Sequence, residues 1–158
     1  HSGEFHGFQA YYNLLNPSAG QPVPKEFSAQ DYGLIIDRAA AKGMGAFVIR
    51  ILAAGALTAD PGAGGGSSPE PLSPGSDYSL DLQRAEKLKT ALGVSGKELT
   101  QAAIRFGLMN SKVSTVLVGF SNTTHIDEAV ACSGDRALAA DEMGKLKQLW
   151  ETDFGKLG

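Results

Sequence analysis

Gly45 to Leu52 is the stretch that most restricts the fold. Ala46, Phe47, Val48 and Ile49 follow one another without a polar break, and only Arg50 separates them from Ile51 and Leu52. A strand with one face in water alternates polar and apolar residues. A nearly continuous apolar run is what a strand needs when both faces are covered, and such strands belong to parallel sheets. Parallel neighbours need long crossover connections, usually helical, so strands and helices should alternate along the rest of the chain.

They do. Phe5 to Tyr12 reads as a strand with Phe8, Ala10 and Tyr12 on one face. Asn13 to Phe27, with three Pro and one Gly, reads as a loop. Ser28 is placed to cap a helix whose apolar positions are Leu34, Ile35, Ala39 and Ala41, and Lys42-Gly43 is a good stop. After the central strand, Ala59 to Asp77 is rich in Gly, Pro and Ser, the composition of a lid or a flexible loop. A helix is expected from about Leu80 to Leu92, with Leu82, Ala85, Leu88 and Leu92 on one stripe and Gly93 as its stop. The next opens on a capping box, Ser95 with Glu98, and buries Leu99, Ala102, Ala103, Phe106 and Met109. Thr115 to Val118 is a third short strand. Helices then run from about Thr123 to Cys132 and from Ala140 to Phe154, the last facing Met143, Leu146, Trp150 and Phe154 inward. Right-handed crossovers and a parallel sheet follow from this order. Three strands are too few to close a barrel, which commonly takes eight.

Composition removes several function classes. The net charge is −3 and no two basic residues are adjacent, so no patch is available to neutralise phosphates of a nucleic acid or an anionic membrane. No apolar stretch approaches the ~20 residues that span a bilayer. The single Cys132 has no partner for an intramolecular disulfide, and three scattered His give no metal-ligand spacing. The expected compartment is the cytoplasm. The chain opens on His1, without Met, and runs almost at once into strand-like sequence, so it reads as a piece of something longer.

In parallel α/β architectures ligands sit at the carboxyl ends of the strands, and three such ends are present. Gln9 lies within the first strand, where an amide is costly unless hydrogen-bonded; it is either a satisfied core residue or aimed at a polar ligand. The second strand runs into Leu52-Ala53-Ala54-Gly55-Ala56-Leu57-Thr58. Small residues there make either a tight turn or a backbone that a phosphate approaches closely. The third end, Gly119-Phe120-Ser121-Asn122-Thr123-Thr124, enters a helix, whose free N–H groups suit an anion. Ordinary capping accounts for the same hydroxyls and amide.

The order and spacing of Phe8-Gln9-Ala10-Tyr11-Tyr12-Asn13, Gly43 to Thr58 and Val118 to Glu128 resemble the aldo-keto reductase family over nearly the whole chain. The resemblance implies a partial (β/α)8 TIM barrel, namely its last three βα units plus the C-terminal helix. Residues 1–158 would then be the C-terminal portion of a single barrel domain. It further implies a nicotinamide dinucleotide, NADP with NAD as the alternative, and a small carbonyl substrate for the parent protein. Carried over, Gln9 matches the residue that bonds the nicotinamide carboxamide. Ile49 stands where many members place an aromatic ring beneath the nicotinamide, and an Ile offers dispersion contact without π-stacking. Arg50, Ile51, Leu52, Ala53, Gly55 and Leu57 match the loop along the pyrophosphate. Gly119, Phe120, Ser121, Asn122, His125 and Glu128 match the segment that grips the adenosine.

Two departures qualify the resemblance. Many members carry Lys or Arg in that last segment for the 2′-phosphate, whereas here only His125 falls between Gly119 and Glu128. The family's proton-donating Tyr, with its Asp, Lys and His, belongs to the first four strands, so no catalytic residue is assigned here. Tyr11 and Tyr12 lie on the strand already matched through Gln9. The expectation is a cofactor-contacting part, inactive alone, with residues 59–77 as a flap. The competing expectation is an independent, non-catalytic α/β module that self-associates through its exposed sheet edge.

Overall fold

A computed structural model describes residues 4–61, 77–134 and 137–156. Most of the expected flap lies outside these residues. The sheet has three parallel strands in the order β1 (Gly7–Tyr11), β2 (Gly45–Ile49), β3 (Val113–Val116). Gln9 pairs with Phe47, and Phe47 with Thr115. The ladder slips by one residue between Ala46 and Phe47, so β3 carries Ser114 as an extra residue there.

Between β1 and β2 lies α1 (Ile35–Ala40); between β2 and β3 lie α2 (Tyr78–Leu92) and α3 (Gly96–Leu108). After β3 come α4 (Thr123–Val130), α5 (Ala140–Glu151) and the short turn α6 (Asp153–Lys156). Local signals set several of these ends. Gly43 and Gly93 take positive φ at the helix stops, a conformation that costs glycine nothing. Ser95 Oγ accepts from the Glu98 amide while Glu98 accepts from the Ser95 amide at 2.8 Å, a complete capping box.

The core occupies one side of the sheet. Ala10, Tyr12, Ala46 and Val48 are buried there with Ile36, Leu88, Leu99, Phe106, Leu146 and Trp150. Phe106 stands between Tyr12, its ring centroid 4.6 Å away, and Trp150 at 5.7 Å. The Trp150 indole N–H donates to the Leu14 carbonyl at 2.9 Å, which fastens α5 to the segment after β1.

Four expectations need correction. The apolar run of β2 announces two covered faces, yet Phe47 is 41% exposed: among the described residues, helices cover one face only. The proline-rich segment after β1 is a loop as expected, and its start lies in the interior: Asn13, Leu14, Leu15, Asn16, Ser18 and Ala19 are all buried. Ser28 does not cap α1; its amide and hydroxyl bond the Asp153 carboxylate at 3.2 and 3.1 Å, and α1 begins only at Ile35, with Ile36 and Ala39 as the buried pair while Ile35 and Ala41 face out. Met109, expected on the inner stripe of α3, is exposed just past its end. The final helix also breaks early, since Asp153 and Phe154 take positive φ, and the turn buries Phe154 beside Arg84.

Candidate nucleotide site at the strand ends

All three strands run in one direction, so their carboxyl ends share one edge of the sheet. The ladder continues slightly past each strand: Tyr12 N–H donates to the Ile49 carbonyl at 3.5 Å and Leu117 N–H to the Val48 carbonyl at 2.8 Å. Arg50 therefore follows directly on the end of β2, flanked by the end of β1 on one side and the exit of β3 on the other.

The turn after β2 is held from below. Asn13, fully buried, donates its side-chain amide to the Arg50 carbonyl at 2.8 Å, and its carbonyl oxygen accepts from Leu15 and Asn16 at 2.9 and 2.8 Å. Arg50, Ala53, Ala54 and Gly55 all have positive φ, a left-handed run that is costly for the three that are not glycine. The N–H groups of Ala53, Gly55, Ala56, Leu57 and Thr58 are all taken by carbonyls of the same turn. Ile51, Ala53 and Leu57 bury their side chains; a Cβ added at Gly107 would lie 2.8 Å from Ile51 Cδ1, so Ile51 packs on α3. What this turn turns outward is Arg50, Leu52, Ala54 and Gly55, none of them buried.

Gln9 and Phe47 lie exposed on the face of the sheet that no helix among the described residues covers, with Ile49 partly exposed two residues beyond Phe47 on the same face. No hydrogen bond to the Gln9 amide or the Arg50 guanidinium comes from the described residues. Of the two readings of Gln9, the satisfied core residue is thus excluded among the described residues: the side chain is exposed. Tyr11, on the same strand, stacks on Tyr32 at 5.8 Å, and burial pushes its hydroxyl up. Burial pushes Tyr12 up to about 12. A proton donor working near neutrality needs the opposite shift.

The exit of β3 is the most open part. Gly119, Phe120, Ser121, Asn122 and His125 are exposed, Phe120 at 47%, and a Cβ added to Gly119 would meet nothing within 4 Å. Asn122 caps α4, its Oδ1 accepting from the His125 amide at 3.0 Å. The His125 ring lies between Ser121 Oγ, 3.2 Å from Nδ1, and Asn122 Nδ2, 3.1 Å from Nε2. Glu128 is engaged from another helix: Lys97 Nζ, near the start of α3, sits 2.8 Å from its Oε1. That hydrogen bond lowers the Glu128 carboxyl and raises the Lys97 ammonium.

The structure thus aligns Arg50, the Gly55 turn and the Ser121–Glu128 segment along one edge, with Gln9 on the adjoining bare face. It turns Ile51, Ala53 and Leu57 inward, so only their backbones are left for a ligand. Two residues escaped the sequence reading. Asn13, which ties two strand ends together, was visible only as the close of a motif. Lys97 carried no local signal at all, because its partner lies on a different helix.

A dinucleotide stretched along this edge would find an amide and a guanidinium with no hydrogen-bond partner among the described residues, open space beside Gly119 and the N-terminus of α4, so the residues present fit such a group. The model of the aldo/keto reductase family matches residues 9–151. Among solved structures, the apo form of aldo-keto reductase AKR11C1 from Bacillus halodurans matches with a TM-score of 0.57 at 20% identity, covering 92% of this chain and 44% of that one. The chain therefore spans less than half the length of that structure. No curated protein matches the sequence.

Proposed function

From the premise that the chain belongs to the aldo/keto reductase family, we propose that it is the C-terminal, cofactor-contacting part of a (β/α)8 barrel whose parent reduces a small carbonyl with NADP(H), NAD(H) being the alternative. The observation that carries this reading is the single edge shared by Arg50, the Gly55 turn and the Ser121–Glu128 segment. The bound nicotinamide would supply the hydride. Gln9 would hold its carboxamide and Ile49 would pack against its ring face by dispersion. Arg50 would lie against the pyrophosphate; with five of the turn's amides spent on its own carbonyls, the guanidinium is the charged anion-binding group there. Ser121, Asn122 and His125, with the N-terminus of α4, would receive the adenosine phosphate end.

No residue of this chain is assigned to proton transfer. Tyr11 and Tyr12 are both shifted the wrong way, and we assign the catalytic Asp, Tyr, Lys and His to the remainder of a longer polypeptide. With NADPH and an aromatic aldehyde, the purified chain is expected to give no turnover; sustained oxidation of NADPH would refute this. Titration should show weak, saturable enhancement of NADPH fluorescence that Arg50→Ala diminishes. A micromolar dissociation constant would show that the site is already complete, and a response unaffected by Arg50→Ala would remove Arg50 from it.

A second reading has one observation in its favour. Phe47 and Leu117 are exposed at 41% and 46%, beside Gln9 and Ile49, on the uncovered face. Such a face favours self-association of the isolated chain. A monomer by sedimentation across a wide concentration range would exclude it.

A further inference from the structure

Among the described residues, the longest unbroken left-handed run is the C-terminal turn α6. Asp153, Phe154, Gly155 and Lys156 take φ of 47, 56, 74 and 50°. Three of the four are not glycine, and such strain persists only where surrounding contacts enforce it. Ser28 donates from its amide and hydroxyl to the Asp153 carboxylate at 3.2 and 3.1 Å. Lys87 donates to the Phe154 carbonyl at 2.6 Å. Arg84 donates to Asp153 at 3.3 Å and to Ser28 Oγ at 2.6 Å, its guanidinium 5.3 Å from the Phe154 ring centroid. Arg84 is the pivot. Its side chain is 5% exposed, yet its Nε has no hydrogen-bond partner among the described residues. A second carboxylate stands close by: half-buried Asp81, three residues earlier and so on the same side of α2, near enough for Arg84 to lower it.

We propose that Arg84 exchanges partners between Asp153 and Asp81, so that ionisation of Asp81 releases the C-terminal turn. While Asp81 is protonated, Asp153 holds the guanidinium alone. Once Asp81 ionises, its partly desolvated charge draws Arg84 over, Asp153 loses its cation, and the strained turn relaxes. The other groups facing Asp81 leave this role to Arg84. Asp77, the exposed N-cap of α2, is lowered by its bonds with Ser79 and opposes a charge on Asp81. The Tyr11 and Tyr78 hydroxyls, on β1 and α2, are pushed up by burial and stay neutral. Arg50 acts on Tyr11 and not on Asp81. Burial raises the Asp81 carboxyl to about 6 while the turn is docked. The docked form therefore favours the protonated carboxyl, prevails at low pH and gives way as pH rises from the ordinary 3.8 towards about 6. The pivot shares its helix with the candidate site: Tyr78, the first residue of α2, places its hydroxyl 3.7 Å from a Cβ added at Gly55.

The test follows the Ser28, Gly155 and Lys156 amide shifts of the intact chain from about pH 5 to about pH 7. All three are expected to move together through one transition, towards the values that Asp153→Asn shows at every pH. Asp81→Asn and Asp81→Ser, which cannot ionise, should abolish the transition and keep the low-pH shifts throughout, and Asp81→Glu should restore it. A transition that persists in either folded Asp81 variant overturns the proposal. So do wild-type resonances that stay fixed across this window.

Discussion

The two faces of the β1–β2–β3 sheet are built from the same strands and differ in nearly everything else. One carries Ala10, Tyr12, Ala46 and Val48 under helices, closed by the Tyr12–Phe106–Trp150 aromatic column. The other carries Gln9, Phe47 and Ile49, with Phe47 and Gln9 in register and exposed. Burial of large rings supplies several kcal/mol each, so the covered face accounts for why this chain folds. The bare face contributes little to stability and carries a polar residue with no partner among the described residues. Stability is thus concentrated on one side of the sheet, while the candidate site lies along its carboxyl edge and, through Gln9 and Ile49, on the other side.

The largest effect should come from the covered face. Trp150→Ala removes a buried indole and leaves the Leu14 carbonyl without its donor, at an expected cost of about 3–5 kcal/mol. Denaturant unfolding measures it, and a cost below about 1 kcal/mol would mean that the column does not hold the faces apart. Next is Asn13→Ala, at the edge where the faces meet. It strips three hydrogen bonds from a fully buried site and should cost about 2 kcal/mol, with faster amide exchange concentrated around Arg50.

A smaller effect is pH-dependent. Burial raises the Asp81 carboxyl to about 6, against a lowering by Arg84. The folded state then holds the proton more tightly than the unfolded one, so this group's contribution is present below its ordinary value near 3.8 and is lost as pH rises towards about 6. Partial exposure of the group reduces the effect to on the order of 1 kcal/mol. Wild-type chain compared with Asp81→Asn should show stability falling over that window only in the former; parallel profiles would exclude it. Smallest of all is Phe47→Gln on the bare face, expected within about 0.5 kcal/mol of the parent but with reduced self-association by sedimentation. Destabilisation as large as that of Trp150→Ala would erase the distinction between the faces.

Legibility in the sequence followed the range of each interaction. The Gly43 and Gly93 stops, the Ser95–Glu98 box and the Asn122 cap were readable because donor and acceptor lie within a few residues. The three parallel strands were readable from their apolar runs and their alternation with helices. Ser28 misled because it has the right residue type for a cap, whereas its actual partner, Asp153, lies 125 residues away. Lys97 stayed invisible for the same reason, its partner being on α4. The apolar run of β2 told the truth about strand type but could not show that only one of its faces has a cover among the described residues.

The central claim is that three strand ends form one nucleotide-binding edge, and amide shift mapping with NADPH tests it most directly. Shifts should appear together at Arg50–Leu57 and Gly119–Glu128 and be absent from the opposite edge, around His6, Gly45 and Asn110. Shifts confined to one of the two segments, or scattered onto the opposite edge, would contradict it.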